Sequence, residues 1–314
     1  MIALVTTSKS FLALNLGTGE AKEIHTGKGL YFGITYSDDL IFVGARNNFD
    51  CFEYLDNIQH FNGSVLVFNY NLELVSEISM LTPTTAATLR DLHQIIFLDD
   101  KLWLICALDN MVMINDFDSW DYWFPSDNKR ERWKDIHHFN SLWVDFDMSS
   151  IYILAHQRGP SEIWKFSYPD LELEEKIELG EEAHSIWKFK NKLYTCDSKK
   201  GTVVSENGFE LKIGDFTRGA AITDNIFVIG TSDIAKKDER YKSSGAVHIY
   251  DTNWDKLRRI NIDDFGQLND IRVPGYFDVC HHWMLGKNVD IGWENRMNFE
   301  VEETNDYFSH DGGI

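Results

Sequence analysis

Apolar and polar positions alternate with period two along most of the chain. His93-Gln94-Ile95-Ile96-Phe97-Leu98-Asp99-Asp100-Lys101-Leu102-Trp103 and His184-Ser185-Ile186-Trp187-Lys188-Phe189-Lys190-Asn191-Lys192-Leu193-Tyr194 follow one scheme. Each opens on His-x-Ile, crosses a polar turn and resumes as Lys-Leu-aromatic. Glu162-Ile163-Trp164-Lys165-Phe166 and Phe209-Glu210-Leu211-Lys212-Ile213 continue the alternation. β-Branched and aromatic residues with this period, punctuated by turns such as Glu206-Asn207-Gly208, predict short antiparallel strands. The acidic stretch 171–182 alternates too strictly for a helix and is expected to be a solvated outer strand.

The unit recurs. His138-Phe139-Asn140-Ser141-Leu142-Trp143 fits the frame with a longer hairpin, and Arg218-Gly219-Ala220-Ala221-Ile222 fits it with arginine in the histidine slot. Intervals of about 34–46 residues indicate a solenoid or a propeller, and four strands per unit predict propeller blades. Five units are delimited: 29–79, an irregular 91–133, 137–178, 183–213 and 217–261. Three strands near 2–8, 11–16 and 21–26 lack a fourth, and Leu268-Asn269-Asp270-Ile271-Arg272-Val273 lacks three. Joining them closes the ring and removes both open sheet edges. The expectation is an all-β, six-bladed β-propeller over 1–275, with 276–314 a tail packed on or around it. Five blades follow instead if 91–133 is an insertion.

With His-x-[Ile/Leu] opening its innermost strands, the chain resembles divergent six-bladed propellers of bacterial enzymes and uncharacterised proteins. Trp120-Asp121 and Trp254-Asp255 do not fall at equivalent blade positions, so these are not tryptophan–aspartate repeats, and the kelch double glycine is absent. Such a resemblance implies a fold and leaves function to the site.

Composition narrows the partners. Among 314 residues, 30 are basic and 50 acidic, a net charge of −20. That disfavours nucleic acid, which is bound by neutralising phosphates, and an anionic membrane surface. No apolar run approaches the roughly 20 residues of a membrane helix, and Met1–Ser8 lacks the basic start of a signal peptide. Cys51, Cys106, Cys196 and Cys280 are far apart, which predicts buried free thiols and a cytoplasmic location.

Propeller geometry gathers the candidate chemistry, because residues opening each inner strand and closing the next meet at the top of the central channel. His93, His138 and His184, read as one repeat position, predict a divalent metal site with open coordination positions. Some polysaccharide-lyase propellers carry a metal on axial histidines, and this set looks similar in kind. The competing reading has each imidazole capping a neighbouring blade. Arg218, Arg272, Arg46 and Arg158, with Asp270, are expected to bind a small anionic or acidic-sugar ligand, or else to pair with carboxylates between blades. Tyr31 or His156 is expected to handle a proton. Together these predict a metal-assisted lyase or hydrolase acting on a small polar, carbohydrate-derived or anionic substrate. The alternative is a non-enzymatic glycan- or protein-binding module using loop aromatics: Phe49, Phe52, Tyr54, Trp120, Tyr122, Trp123 and Phe124. His281-His282 is expected to be structural.

Overall fold

A computed structural model describes residues 1–46, 63–79, 89–145, 147–236 and 239–275. The expected tail 276–314, with Cys280, His281 and His282, lies outside the described residues, as do Cys51, Phe49, Phe52 and Tyr54.

The chain opens with β1 (Ile2–Thr7), β2 (Ser10–Asn15) and β3 (Ala21–Thr26). Blade 1 follows as β4 (Leu30–Tyr36), β5 (Leu40–Arg46), β6 (Gly63–Asn69) and β7 (Leu74–Ile78). Blade 2 is β8 (Leu92–Leu98), β9 (Lys101–Cys106), β10 (Met111–Asn115) and β11 (Trp120–Trp123). Blade 3 is β12 (Phe139–Asp145), β13 (Ser150–Ala155), β14 (Pro160–Ser167) and β15 (Leu173–Glu181). Blade 4 is β16 (His184–Phe189), β17 (Lys192–Asp197), β18 (Thr202–Ser205) and β19 (Glu210–Lys212). Blade 5 is β20 (Phe216–Ile222), β21 (Ile226–Ser232), β22 (Gly245–Asp251) and β23 (Lys256–Ile262). The last strand, β24 (Leu268–Arg272), pairs antiparallel with β1, so the sixth sheet runs β24-β1-β2-β3. All six sheets are four-stranded and antiparallel. This is a six-bladed β-propeller.

Burial explains the strand patterns. The second strands, such as β13, lie between neighbouring blades and are buried on both faces, hence their near-continuous apolar runs. Outer strands such as β7 face solvent and carry the charge. The largest core cluster spans blades 2 to 5 and is centred on Trp164 and Trp187. Cys106 and Cys196 are buried and free. No described helix is long and apolar enough to cross a membrane.

One irregularity recurs in every blade and determines what faces the channel. The register of the inner strand slips between Tyr31 and Ile34, Leu92 and Ile95, Phe139 and Ser141, His184 and Ile186, Thr217 and Ala220, and between Thr6 and Thr7 opposite Asn269. A bulge adds one residue and re-aims side chains locally. The bulged residues form two stacked rings around the axis. The first ring is Phe32, His93, Asn140, His184, Arg218 and Asn269. Gln94, Ser141, Ser185, Asp270 and Gly33 belong to the second.

Polar groups in these rings link blade 6 to blade 1, blade 2 to blade 3 and blade 3 to blade 4. Asp270 Oδ2 accepts from Ile34 N–H (3.1 Å), Gln94 Oε1 from Leu142 N–H (2.5 Å) and Ser141 Oγ from Ser185 N–H (2.8 Å). Asn269 Nδ2 donates to Tyr31 O and Asn140 Nδ2 to Ala183 O. These bonds lower the cost of burying the polar groups that make them.

Candidate active site at the channel mouth

Two residues before the first ring, the chain adopts the left-handed region at Asp91 (φ 56°), His138 (φ 50°) and Glu182 (φ 46°). None of these is glycine, and repeated positive φ at a mouth is the kind of strain that function retains. It also corrects the repeat alignment. His138 is equivalent to Asp91, not to His93 and His184, and the blade 3 residue at the His93 position is Asn140. β13 begins five residues after the end of β12, whereas β9 and β17 begin three residues after the ends of β8 and β16, and this hides the offset.

The mouth gathers a chain of imidazoles. Ring centroids are 5.0 Å apart for His93–His138, 5.2 Å for His138–His156 and 5.1 Å for His156–His184. Asp91, His93 and His138 each offer a donor atom within 4.8 Å of the others, a set that could hold a metal ion. His184 is not part of that set; it stands on the far side of His156.

Hydrogen-bond partners fix the tautomers. His93 Nδ1 lies 2.8 Å from Asp91 O, which only accepts, so Nδ1 carries hydrogen; Arg46 Nη2, 3.1 Å from Nδ1 and 3.5 Å from Nε2, faces the lone pair that remains on Nε2. Ser198 Oγ donates to Thr217 O and must therefore accept from His184 Nδ1–H at 2.8 Å, again leaving Nε2 free. His138 Nδ1 is 2.8 Å from Asp135 Oδ1, the carboxylate–imidazole contact that holds metal-binding histidines in place. His156 is reversed: its Nδ1 accepts Arg158 N–H (3.0 Å), so Nε2 carries hydrogen. Burial, with the charges of nearby arginines, holds His93 and His184 well below the usual imidazole range. His156 is lowered to about 3, first by burial and then by His138, Arg218 and Arg158. All three are neutral at pH 7.

The arginines divide into paired and unpaired. Arg46 meets Asp91 Oδ1 at 2.5 Å, donates from Nε to Leu92 O and lies 3.7 Å above the Phe32 ring. Arg158, 66% exposed, pairs with Asp135. Arg272 pairs with Asp270 at 2.5 Å and also donates to Ile271 O, deep between blades. Arg272 and Asp270 thus follow the blade-tying reading. Arg218 has no hydrogen bond or ion pair among the described residues, although only 7% of it is exposed. Its guanidinium carbon lies 5.0 Å from the Phe32 ring centre. Burial and the like charges of Arg46 and Arg240 lower it to about 9.

Tyr31 is not at the mouth. The bulge turns Phe32 inward, and the Tyr31 hydroxyl packs against β3, 2.8 Å from His25 Nδ1. Trp123 is committed to the core, edge-on to Phe166 at 4.9 Å and to Trp103 at 6.2 Å. Asp91, Asp135, Phe32 and Arg240 are site residues that the repeat motif does not announce. Only Asp91 carries a signal, two residues before His93 as His138 is before Asn140.

The space on the axis is small. A cavity of about 20 Å³ is enclosed by the two rings, room for about one water. A larger cleft of about 310 Å³ opens between blades 4 and 5, where β19 is only three residues long, and none of the mouth residues lines it. A ligand at the histidines must therefore sit on the mouth, above the rings.

No protein-family model matches the chain, and no curated protein matches its sequence. Solved structures do. A chain of the nidogen/laminin complex superposes with a TM-score of 0.59 at 12% identity, covering 86% of this chain and 97% of that one. A protein of unknown function from Bacteroides caccae gives the same figures. The likeness is one of fold.

Proposed function

We propose that the mouth is a metal-assisted hydrolase or lyase centre for a small anionic substrate. The observation that carries this is the convergence of Asp91, His93 and His138 donors within 4.8 Å, beside Arg218, which has no ion pair among the described residues. Two imidazoles and one carboxylate suit a divalent ion that keeps open positions. Asp91 would contribute Oδ2, since Oδ1 already faces Arg46. A bound divalent ion supplies Lewis acidity toward a substrate oxygen and lowers the pKa of coordinated water.

The chain's own groups have complementary tasks. Arg218 draws the substrate's negative group toward the axis. His156 presents Nε2–H and serves as a hydrogen-bond donor. The free Nε2 lone pair of His184 is the one positioned to accept a proton.

Calorimetric titration of untagged, chelator-treated protein with Zn²⁺, Mn²⁺ and Mg²⁺ tests the reading. One equivalent of at least one ion should bind, and Asp91→Asn and His138→Ala should each weaken it about tenfold or more. Absence of binding by all three ions, or binding unchanged in both variants, overturns the metal centre.

A further inference from the structure

Among the described residues the charges at the mouth do not balance. Arg46 is matched by Asp91, Arg158 by Asp135, Arg272 by Asp270 and Arg90 by Asp109. Arg218 and Arg240 have no carboxylate partner among the described residues. Arg218 is buried and Arg240 half-buried; a buried charge is costly and seldom kept without a use.

Arg240 is held where its charge counts. It begins a short 3-10 turn, Arg240–Lys242, in the long loop from β21 to β22. Its carbonyl accepts from Gln267 N–H (2.9 Å) and Ser8 Oγ (3.1 Å), which fastens that loop to the closing blade. From there its charge acts on Arg218 of its own blade and on Arg46 and Asp91 of blades 1 and 2, and the carboxylates of Asp91 and Glu182 act on it in turn. Arg218 reaches the same space from the first ring, beside the Phe32 face that it shares with Arg46.

We infer that Arg218 and Arg240 form an oxyanion subsite for the doubly charged phosphate group of a phosphate monoester, seated on the mouth beside Asp91, His93 and His138. Two unpaired guanidinium groups call for two negative charges; a carboxylate or sulfate ester supplies one. Guanidinium forks match the oxygens of a tetrahedral oxyanion bidentately. The axial cavity of about 20 Å³ is too small for such a group, so it rests above the rings, within reach of His156 Nε2–H. The inference rests on reading the mouth as the ligand site, and in the hydrolytic case the balance is simple. Water oxygen bonds to phosphorus, the phosphorus–oxygen bond to the alcohol breaks, and one proton of the water passes to the leaving alkoxide.

The test is calorimetry of the full chain with methyl phosphate and methyl sulfate, which share a shape and differ in charge. At pH 7.5 methyl phosphate should bind at least about tenfold more tightly. At pH 5 the preference should collapse, because the second phosphate pKa is near 6. Arg240→Ala, a change in a loop side chain, and Arg218→Lys should each cost about tenfold for methyl phosphate. Equal affinity for the two esters at pH 7.5, or an unchanged affinity in Arg240→Ala, overturns the subsite. Methyl phosphate binding with no divalent ion bound would support it while removing the metal centre; ion binding with no methyl phosphate preference would do the reverse.

Discussion

Replacing Asp270 by asparagine should destabilise the whole ring. Its carboxylate accepts from Arg272 at 2.5 Å, from Ile271 N–H at 2.9 Å and, across the blade junction, from Ile34 N–H at 3.1 Å. Arg272 is 1% exposed, so Asp270→Asn would leave a guanidinium buried without its counterion and, with the amide oxygen kept toward Arg272 and Ile271 N–H, turn an N–H₂ group toward Ile34 N–H. Breaking a buried pair from one side costs about 3–5 kcal/mol, roughly 5–10 °C in Tm for a chain of this size. The site makes the loss global, because β24 is the strand that joins the two ends of the chain. Urea and thermal denaturation of Asp270→Asn, Arg272→Met and the double variant measure it. The double variant should recover most of the loss, since apolar groups can replace a buried pair at little cost. Asp270→Asn within about 1 kcal/mol of the parent, or a double variant no better than the single, would refute the structural role and return this pair to the ligand-binding residues.

Two further outcomes follow from packing and protonation. His93, His156 and His184 are neutral when folded, whereas unfolded imidazoles titrate near 6.5. The unfolded chain therefore binds more protons below that pH, and stability is lost as pH falls from about 6.5 toward 3. Urea midpoints should drop between pH 7.5 and 5, and His156→Asn should remove about 1–2 kcal/mol of that difference; identical slopes would contradict the neutral assignment. Trp123→Ala should cost about 3–5 kcal/mol in denaturation, whereas Tyr122→Ala, 47% exposed, should stay within about 0.5 kcal/mol. A near-neutral Trp123→Ala with weakened glycan binding would instead revive the aromatic-loop reading.

Much of the fold was legible because a propeller repeats its physics. Second strands buried on both faces read as apolar runs, outer strands as charged alternation, and the turns 99–100 and 190–191 gave the phase of blades 2 and 4. Unpartnered strands at the two ends implied closure. The site was legible only in part, because a bulge shifts side-chain direction by one residue without any composition change. Tyr31 and Phe32 are equally aromatic, and only the bulge decides which one faces the axis. His138 seemed equivalent to His93 because a longer turn in blade 3 absorbed the two-residue offset. Arg240 had no periodic signal at all, since it comes from a loop and its position depends on Ser8 and Gln267, far away in sequence.

The arginines and the histidines at the mouth have opposing consequences that an anion reconciles. Burial, and after it the positive charge of Arg46 and Arg218, keeps His93 unprotonated, which favours coordination. The same charge repels an incoming divalent cation, and Arg46 already occupies one oxygen of Asp91. An anion beside Arg218 cancels the repulsion without touching the lone pairs. Cation and anion should then bind with positive coupling, each raising the other's affinity by the same factor, as linkage requires. Arg218, without a carboxylate partner among the described residues, then has a definite part in the site: a bound anion tightens the hold on an ion that the mouth already binds alone.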